Sequence, residues 1–151
     1  MSRLRIVAGT RIEDLLRAAP GAFEADSAMR NLLVAQLSPR LFSLIGVVVA
    51  GCLHCETFVE ALRGPLDRAF AAGAAGDWRA LDLTAAEKAV LEYAEKGTLD
   101  EASVRRRDVD ALRAAGLGDK EVLLIATTIA YHNYAIRMAA AFDVLPGVET
   151  V

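Results

Sequence analysis

Fourteen consecutive residues, LLIATTIAYHNYAI (123–136), carry no formal charge, and they lie inside a segment that reads as one long helix from Asp119 to Phe142. A helix that is neutral and largely apolar on every face offers no side suited to water, so it is expected to be buried nearly all round. The acids Asp119 and Glu121 suit the positive N-terminal end of such a helix. This segment predicts a helical assembly with its last helix at the centre of the domain or of an oligomer.

The rest of the chain is punctuated for helices, and strand signals are scarce. Thr10 and Glu13 have capping-box spacing, opening a short helix that stops at Pro20-Gly21. A second helix is expected over residues 23–37. Ser38-Pro39 then reads as N-cap and first helical position, because proline lacks only an amide that would be unpaired there anyway. Residues 41–50 are apolar all round and therefore buried. Gly51 interrupts that segment just before Cys52, and a helical pattern resumes as far as Arg63, where Gly64-Pro65 breaks it. The Gly/Ala stretch AAGAAGDW (71–78) reads as a loop.

Thr84 and Glu87 form a second capping box. The helix it opens has an inner stripe of Ala86, Ala89, Val90 and Tyr93 and an outer face of Glu87, Lys88, Glu92 and Glu95. A short helix with Val109 and Leu112 ends at Gly116. No repeat or linker divides the chain. The expectation is an all-α bundle of six to eight helices forming one domain over 1–151.

Composition narrows the partners. Apolar residues make up 54% and the mean hydropathy is +0.32, which suits a chain with part of its surface covered by another subunit. A net charge of −3 excludes the basic face that nucleic-acid binding needs. Arg105, Arg106 and Arg107 stand beside Asp108 and Asp110 and read as a solvated helix start. The N-terminal MSRLRIVAGTRIEDLL has charge but no apolar core of a signal peptide. The longest uncharged stretch, 41–55, falls short of the roughly 20 residues a membrane span requires. A cytoplasmic location without membrane or nucleic-acid partners is expected, and under its reducing conditions paired cysteines point to redox chemistry or metal.

Both cysteines lie in AGCLHCETF (50–58), three positions apart, with His54 between them. On one helix, residues i and i+3 are about 60° apart and face the same way. With Gly51 breaking the chain, Cys52 would start a helix, where free amides and the dipole favour a thiolate. Three readings compete. Two thiols packed in the core are one. A structural zinc site needs four ligands, and Cys52, Cys55, His54 and His132 are all the chain offers; His54 would lie about 100° from Cys55 around the helix. A redox dithiol is the third.

A buried helix leading into Gly-Cys-x-x-Cys resembles the carboxymuconolactone decarboxylase family, in its alkylhydroperoxidase D-like and peroxidase-related branch. Residues 83–144 continue the likeness, with a Leu-Thr-x-x-Glu helix, the pattern DALRAAGLGDKE (110–121), and Tyr131, Asn133, Tyr134 and Arg137 on the final helix. The resemblance spans about residues 27–145. It implies an all-α fold with the Cys-x-x-Cys at the start of a central helix, assembly into trimers, hexamers or other homo-oligomers, and thiol-dependent reduction of hydroperoxides without a cofactor or metal. In that scheme Cys55 attacks the peroxide and becomes a sulfenic acid, Cys52 resolves it to a disulfide, His54 assists proton transfer, and an external thiol reductant restores the pair.

Two positions depart from the branch. Its members carry Glu twelve residues before the first Cys and His four residues after the second, and those places here hold Arg40 and Val59. Aligning SPRLFS (38–43) with the family's PPRLRE puts Ser43 at the Glu position instead. No Asp or Glu occurs between Asp26 and Glu56. Three local groups are candidates to replace the broken relay: Glu56, about 40° from Cys52 if both share a helix; Arg40, through its charge; and His132, if it faces the cluster rather than the core. The missing relay also motivates an alternative, a degenerate member serving as a non-catalytic redox-sensing or ligand-binding module. Decarboxylation of a lactone is a weaker fit, because only scattered arginines such as Arg40 and Arg137 are present to meet a dicarboxylate.

Overall fold

The computed structural model describes residues 6–147. The charges at Arg3 and Arg5 and both ends of the expected 1–151 domain lie outside the described residues. Among those described there are eight α-helices, two short 3-10 turns and no strand: α1 (Ile12–Leu16), α2 (Ala22–Gln36), α3 (Pro39–Cys52), α4 (Glu56–Leu62), α5 (Arg68–Asp77), α6 (Ala85–Leu99), α7 (Arg106–Ala114) and α8 (Asp119–Phe142). The turns are Trp78–Ala80 and Glu101–Ser103. The bundle is all-α, as expected, and no single helix described is long and apolar enough to cross a membrane.

The centre is α3, not α8. Every residue from 42 to 50 is buried, and α4, α5, α6 and α8 all pack on this helix. Its start is set by sequence: Ser38 Oγ accepts the Leu41 amide at 3.1 Å, with Pro39 in the first turn. α8 spans the residues predicted, but it is buried along one face only. Val122, Ile125, Ile129, Ile136 and Ala139 point inward, whereas Leu123 is 66% exposed and Ala130 and Tyr134 also face outward. Small and hydroxylated residues tolerate water, so lack of charge did not require burial.

Two local expectations move. Thr10 is not the cap of α1; its hydroxyl accepts the Val7 amide, and the cap falls one residue later, where the Arg11 amide donates to Asp14. Reciprocal backbone bonds, Leu145 to Thr10 and Ile12 to Leu145, tie this segment to the end of the chain and fix the register. The stretch 71–78 is not a loop. Residues 71–77 belong to α5, opened by Asp67, whose carboxylate accepts the amides of Ala69 and Phe70.

The small residues of α5 have a packing role instead. A Cβ on Gly51 would sit 2.2 Å from the Ala75 carbonyl oxygen, so α3 and α5 meet backbone to backbone. The Thr84/Glu87 capping box on α6 is present as read. Two acids assigned to the outer face of α6 nonetheless reach neighbours: Glu87 pairs with Arg40 at 2.9 Å, and Glu95 accepts Trp78 Nε1 at 2.7 Å and Arg79 at 2.9 Å.

Candidate functional site

The cysteines straddle a helix break. Cys52 is the last residue of α3 and Cys55 is the cap before α4, so the pair does not open a central helix and does not share one helical face. The break is a Schellman turn. The His54 amide donates to Gly51 O at 3.1 Å and the Cys55 amide to Ala50 O at 2.9 Å, satisfying two carbonyls at the end of α3. His54 takes the left-handed conformation of such a turn, at φ +54°. Glycine usually fills that position because it has no Cβ to clash. Gly51, which suggested the break, is inside the helix, where its missing Cβ admits α5.

The thiols therefore differ in environment. Both are free, part-buried and not at disulfide distance. Cys55 opens onto a cleft of about 440 Å³ between the end of α3, α4 and α5, which His54, Glu56 and Val59 also line. Its sulfur is 3.7 Å from Thr57 Oγ1. The Glu60–Arg68 ion pair, at 2.9 Å, sits on the same wall. Cys52 is not on that wall. It packs against the core, and burial pushes its thiol above the ordinary pKa; the Glu95 carboxylate adds to this while Arg79 opposes it. A helix C-terminus lacks the free amides that were expected to ionise Cys52.

The other sequence candidates separate from the cluster or join it as follows. Glu56 begins α4 rather than continuing a helix from Cys52, and its exposed side chain borders the Cys55 cleft. Val59 gives that cleft an apolar wall where the resemblance would place a histidine. Ser43 is buried in α3, and Arg40 is held by Glu87 with its guanidinium 5.3 Å from the Phe70 ring centre. His132 does not face the thiols. It is fully buried between α3 and α8, where its Nε2 bonds Phe42 O at 2.9 Å, and desolvation depresses its pKa to about 4.

The final-helix motif is structural. Asn133 donates to Thr98 Oγ1 and Ile129 O, and Arg137 donates to Asn133 Oδ1 and Thr98 O, clamping α8 to α6. Arg40 and Arg137 thus have separate partners and do not converge on a ligand. Among the described residues no group of three or more His, Cys, Asp or Glu is placed to hold a metal ion. Glu95, Arg79 and the Glu60–Arg68 pair escaped sequence reading because they reach the thiols from other helices, without a spacing signal.

No family model matches the sequence, and no curated protein resembles it closely enough in sequence to register. Solved structures do resemble it. An uncharacterized peroxidase-related protein from Silicibacter sp. TM1040 superposes with a TM-score of 0.82 at 24% identity, covering 90% of this chain and 75% of that one. A second, an uncharacterized peroxidase-related protein from Ralstonia eutropha JMP134 described as an alkylhydroperoxidase AhpD core, gives a TM-score of 0.72 at 24% identity over 84% of this chain and 71% of that one. The chain has the AhpD-like fold. The debrominase Bmp8, solved in complex with 2,3,4-tribromopyrrole, is also similar, with a TM-score of 0.67 at 20% identity over 91% of this chain and 76% of that one. The AhpD-like fold therefore occurs both in peroxidase-related proteins and in a debrominase.

Proposed function

We propose that this AhpD-like protein is a thiol-dependent peroxidase with Cys55 as the attacking sulfur. The observation that carries this reading is the position of Cys55, on a solvent-reached cleft beside His54 and Glu56. The Cys55 thiolate attacks one peroxide oxygen; an S–O bond forms, the O–O bond breaks, and the leaving alkoxide takes a proton to become the alcohol. His54 carries that proton, with Glu56 as the nearby carboxyl that exchanges it with water. The Cys52 sulfur then attacks the Cys55 sulfenic acid. An S–S bond forms, the S–O bond breaks, and the departing hydroxide leaves as water with the Cys52 proton.

The dithiol loses two electrons and the peroxide gains them; an external thiol reductant returns the disulfide to its starting state. Disulfide closure needs the sulfurs about 2 Å apart, so the Leu53-His54 turn must rearrange during the cycle. The raised pKa of Cys52 fits the resolving role, in which the thiol keeps its proton until the sulfenate forms. Exposed apolar side chains on α2 and α8, Met29, Leu32 and Leu123, support assembly into a homo-oligomer. Peroxide consumption with a dithiol donor tests the reading: wild type turns over and Cys55→Ser does not. Equal consumption by both proteins would overturn it.

A second reading has its own support. Val59 leaves the cleft without the expected histidine, and the thiols rest apart, which suits a redox-sensing or ligand-binding module that cycles without turnover. It predicts a reversible disulfide with negligible peroxide consumption.

A further inference from the structure

A second cavity lies on the other side of α4 from the thiol cleft. It has a volume of about 350 Å³ and is walled by α1, α2, α3, α4 and α8. Four aromatic rings face it, those of Phe23, Phe42, Phe58 and Tyr131. His132 lines it as well, and the thiol chemistry makes no use of this residue.

His132 is held in one tautomer. Its Nε2 lies 2.9 Å from Phe42 O, and a carbonyl only accepts, so Nε2 carries the proton. Nδ1 is left as a bare lone pair. It is buried and has no hydrogen-bond partner. Buried acceptors are nearly always satisfied, so an orphan beside a cavity calls for a donor from within that cavity. The ring is also given its space: a Cβ on Gly46 would lie 2.8 Å from the imidazole Cε1. A single water is a poor occupant, because the cavity is several times the roughly 30 Å³ share of one water and much of its wall is aromatic.

The charges on the wall select against an ion. Arg30 shares the cavity with the acids Asp26 and Glu13, so there is no surplus of positive charge to hold an anion. Burial raises the pKa of Asp26, although hydrogen bonds from Tyr134 and Tyr131 and the Arg30 charge oppose this, so the wall also gains little from a cationic ligand.

We infer that this cavity binds a small, neutral, planar aromatic molecule carrying one hydroxyl or ring N–H, its ring among Phe23, Phe42 and Phe58 and its donor on His132 Nδ1. The site is separate from Cys55, and the inference does not depend on peroxidase activity.

Phenol and anisole test it, because they share a ring and differ in the donor. A site built around a buried acceptor rejects the analogue that leaves this acceptor unpaired. Phenol titrated into the wild-type protein is expected to shift the His132 Nδ1 resonance in ¹⁵N spectra and to bind about tenfold more tightly than anisole. Ala135→Met, which fills the cavity from α8, is expected to abolish phenol binding. Equal affinity for the two probes, absence of saturable phenol binding, or phenol binding unchanged in Ala135→Met would overturn the inference. Should Ala135→Met fail to fold, the phenol–anisole comparison on the wild type decides alone.

Discussion

The amide of Cys55 donates to the carbonyl of Ala50 at 2.9 Å, and this bond separates the two thiols. It closes α3 behind Cys52 and leaves Cys55 to begin the next helix. One sulfur therefore belongs to the core and the other to a cleft, although only two residues separate them. The partition depends on His54 holding a left-handed conformation that side chains rarely adopt.

Substitution at position 54 should separate stability from activity. His54→Gly relieves the left-handed strain and is expected to leave the fold equally stable or stabilise it by about 1 kcal/mol, whereas β-branched His54→Val is expected to destabilise it by about 1–2 kcal/mol. Urea unfolding of the three proteins gives this order. Peroxide turnover should fall in both variants, since both remove the imidazole.

Gly51 is fixed by contact, not by backbone conformation. In Gly51→Ala the added methyl meets the Ala75 carbonyl, and α3 and α5 must separate. Overpacking of this kind typically costs about 1–3 kcal/mol. The loss should appear in the midpoint of chemical denaturation, and Ala72→Gly, a neighbouring change without a clash, should cost about 1 kcal/mol or less through helix propensity alone.

The Cys52 thiol is held protonated by burial and, next, by the Glu95 charge. Glu95→Gln removes that charge and releases Arg79 from its ion pair, and both changes favour the thiolate. In a Cys55→Ser background, iodoacetamide should modify Cys52 several-fold faster at mildly alkaline pH after this substitution, on the order of threefold or more. An unchanged rate would mean that the carboxylate does not reach the sulfur.

His132 makes stability pH-dependent. Its folded pKa is about 4, against about 6.5 when exposed. Between those values the unfolded chain binds a proton that the native imidazole refuses, so stability is present above pH 6.5 and is lost as pH falls toward 4. The full contribution is about 3 kcal/mol at most. Asp26, Arg30 and Tyr131 share the neighbouring cavity, so the signature to follow is the imidazole itself: His132 should remain neutral in ¹⁵N spectra at pH 5.

Much of the helical frame was legible because caps are local chemistry. Ser38-Pro39, Thr84 with Glu87, and Asp119 marked helix starts that the structure keeps. Glycine and alanine misled for a shared reason. Gly51 and the 71–78 stretch resemble breaks along the chain, yet they exist to let two helices touch, and that is visible only across the contact. The end of α3 carries no glycine signal because a histidine fills the left-handed position. Cys55, His54 and Glu56 were legible as a site because they are consecutive neighbours. Glu95 and the bare Nδ1 of His132 were not, since each acquires its meaning from a residue on another helix.

Cys52→Ser offers the sharpest test of the mechanism, because it halts the cycle after the attack on peroxide. The protein is treated with a stoichiometric hydroperoxide and dimedone, and the adduct is mapped by mass spectrometry. A single dimedone adduct on Cys55, absent without peroxide, is the predicted result; an unmodified Cys55 whose thiol survives the treatment would contradict the account.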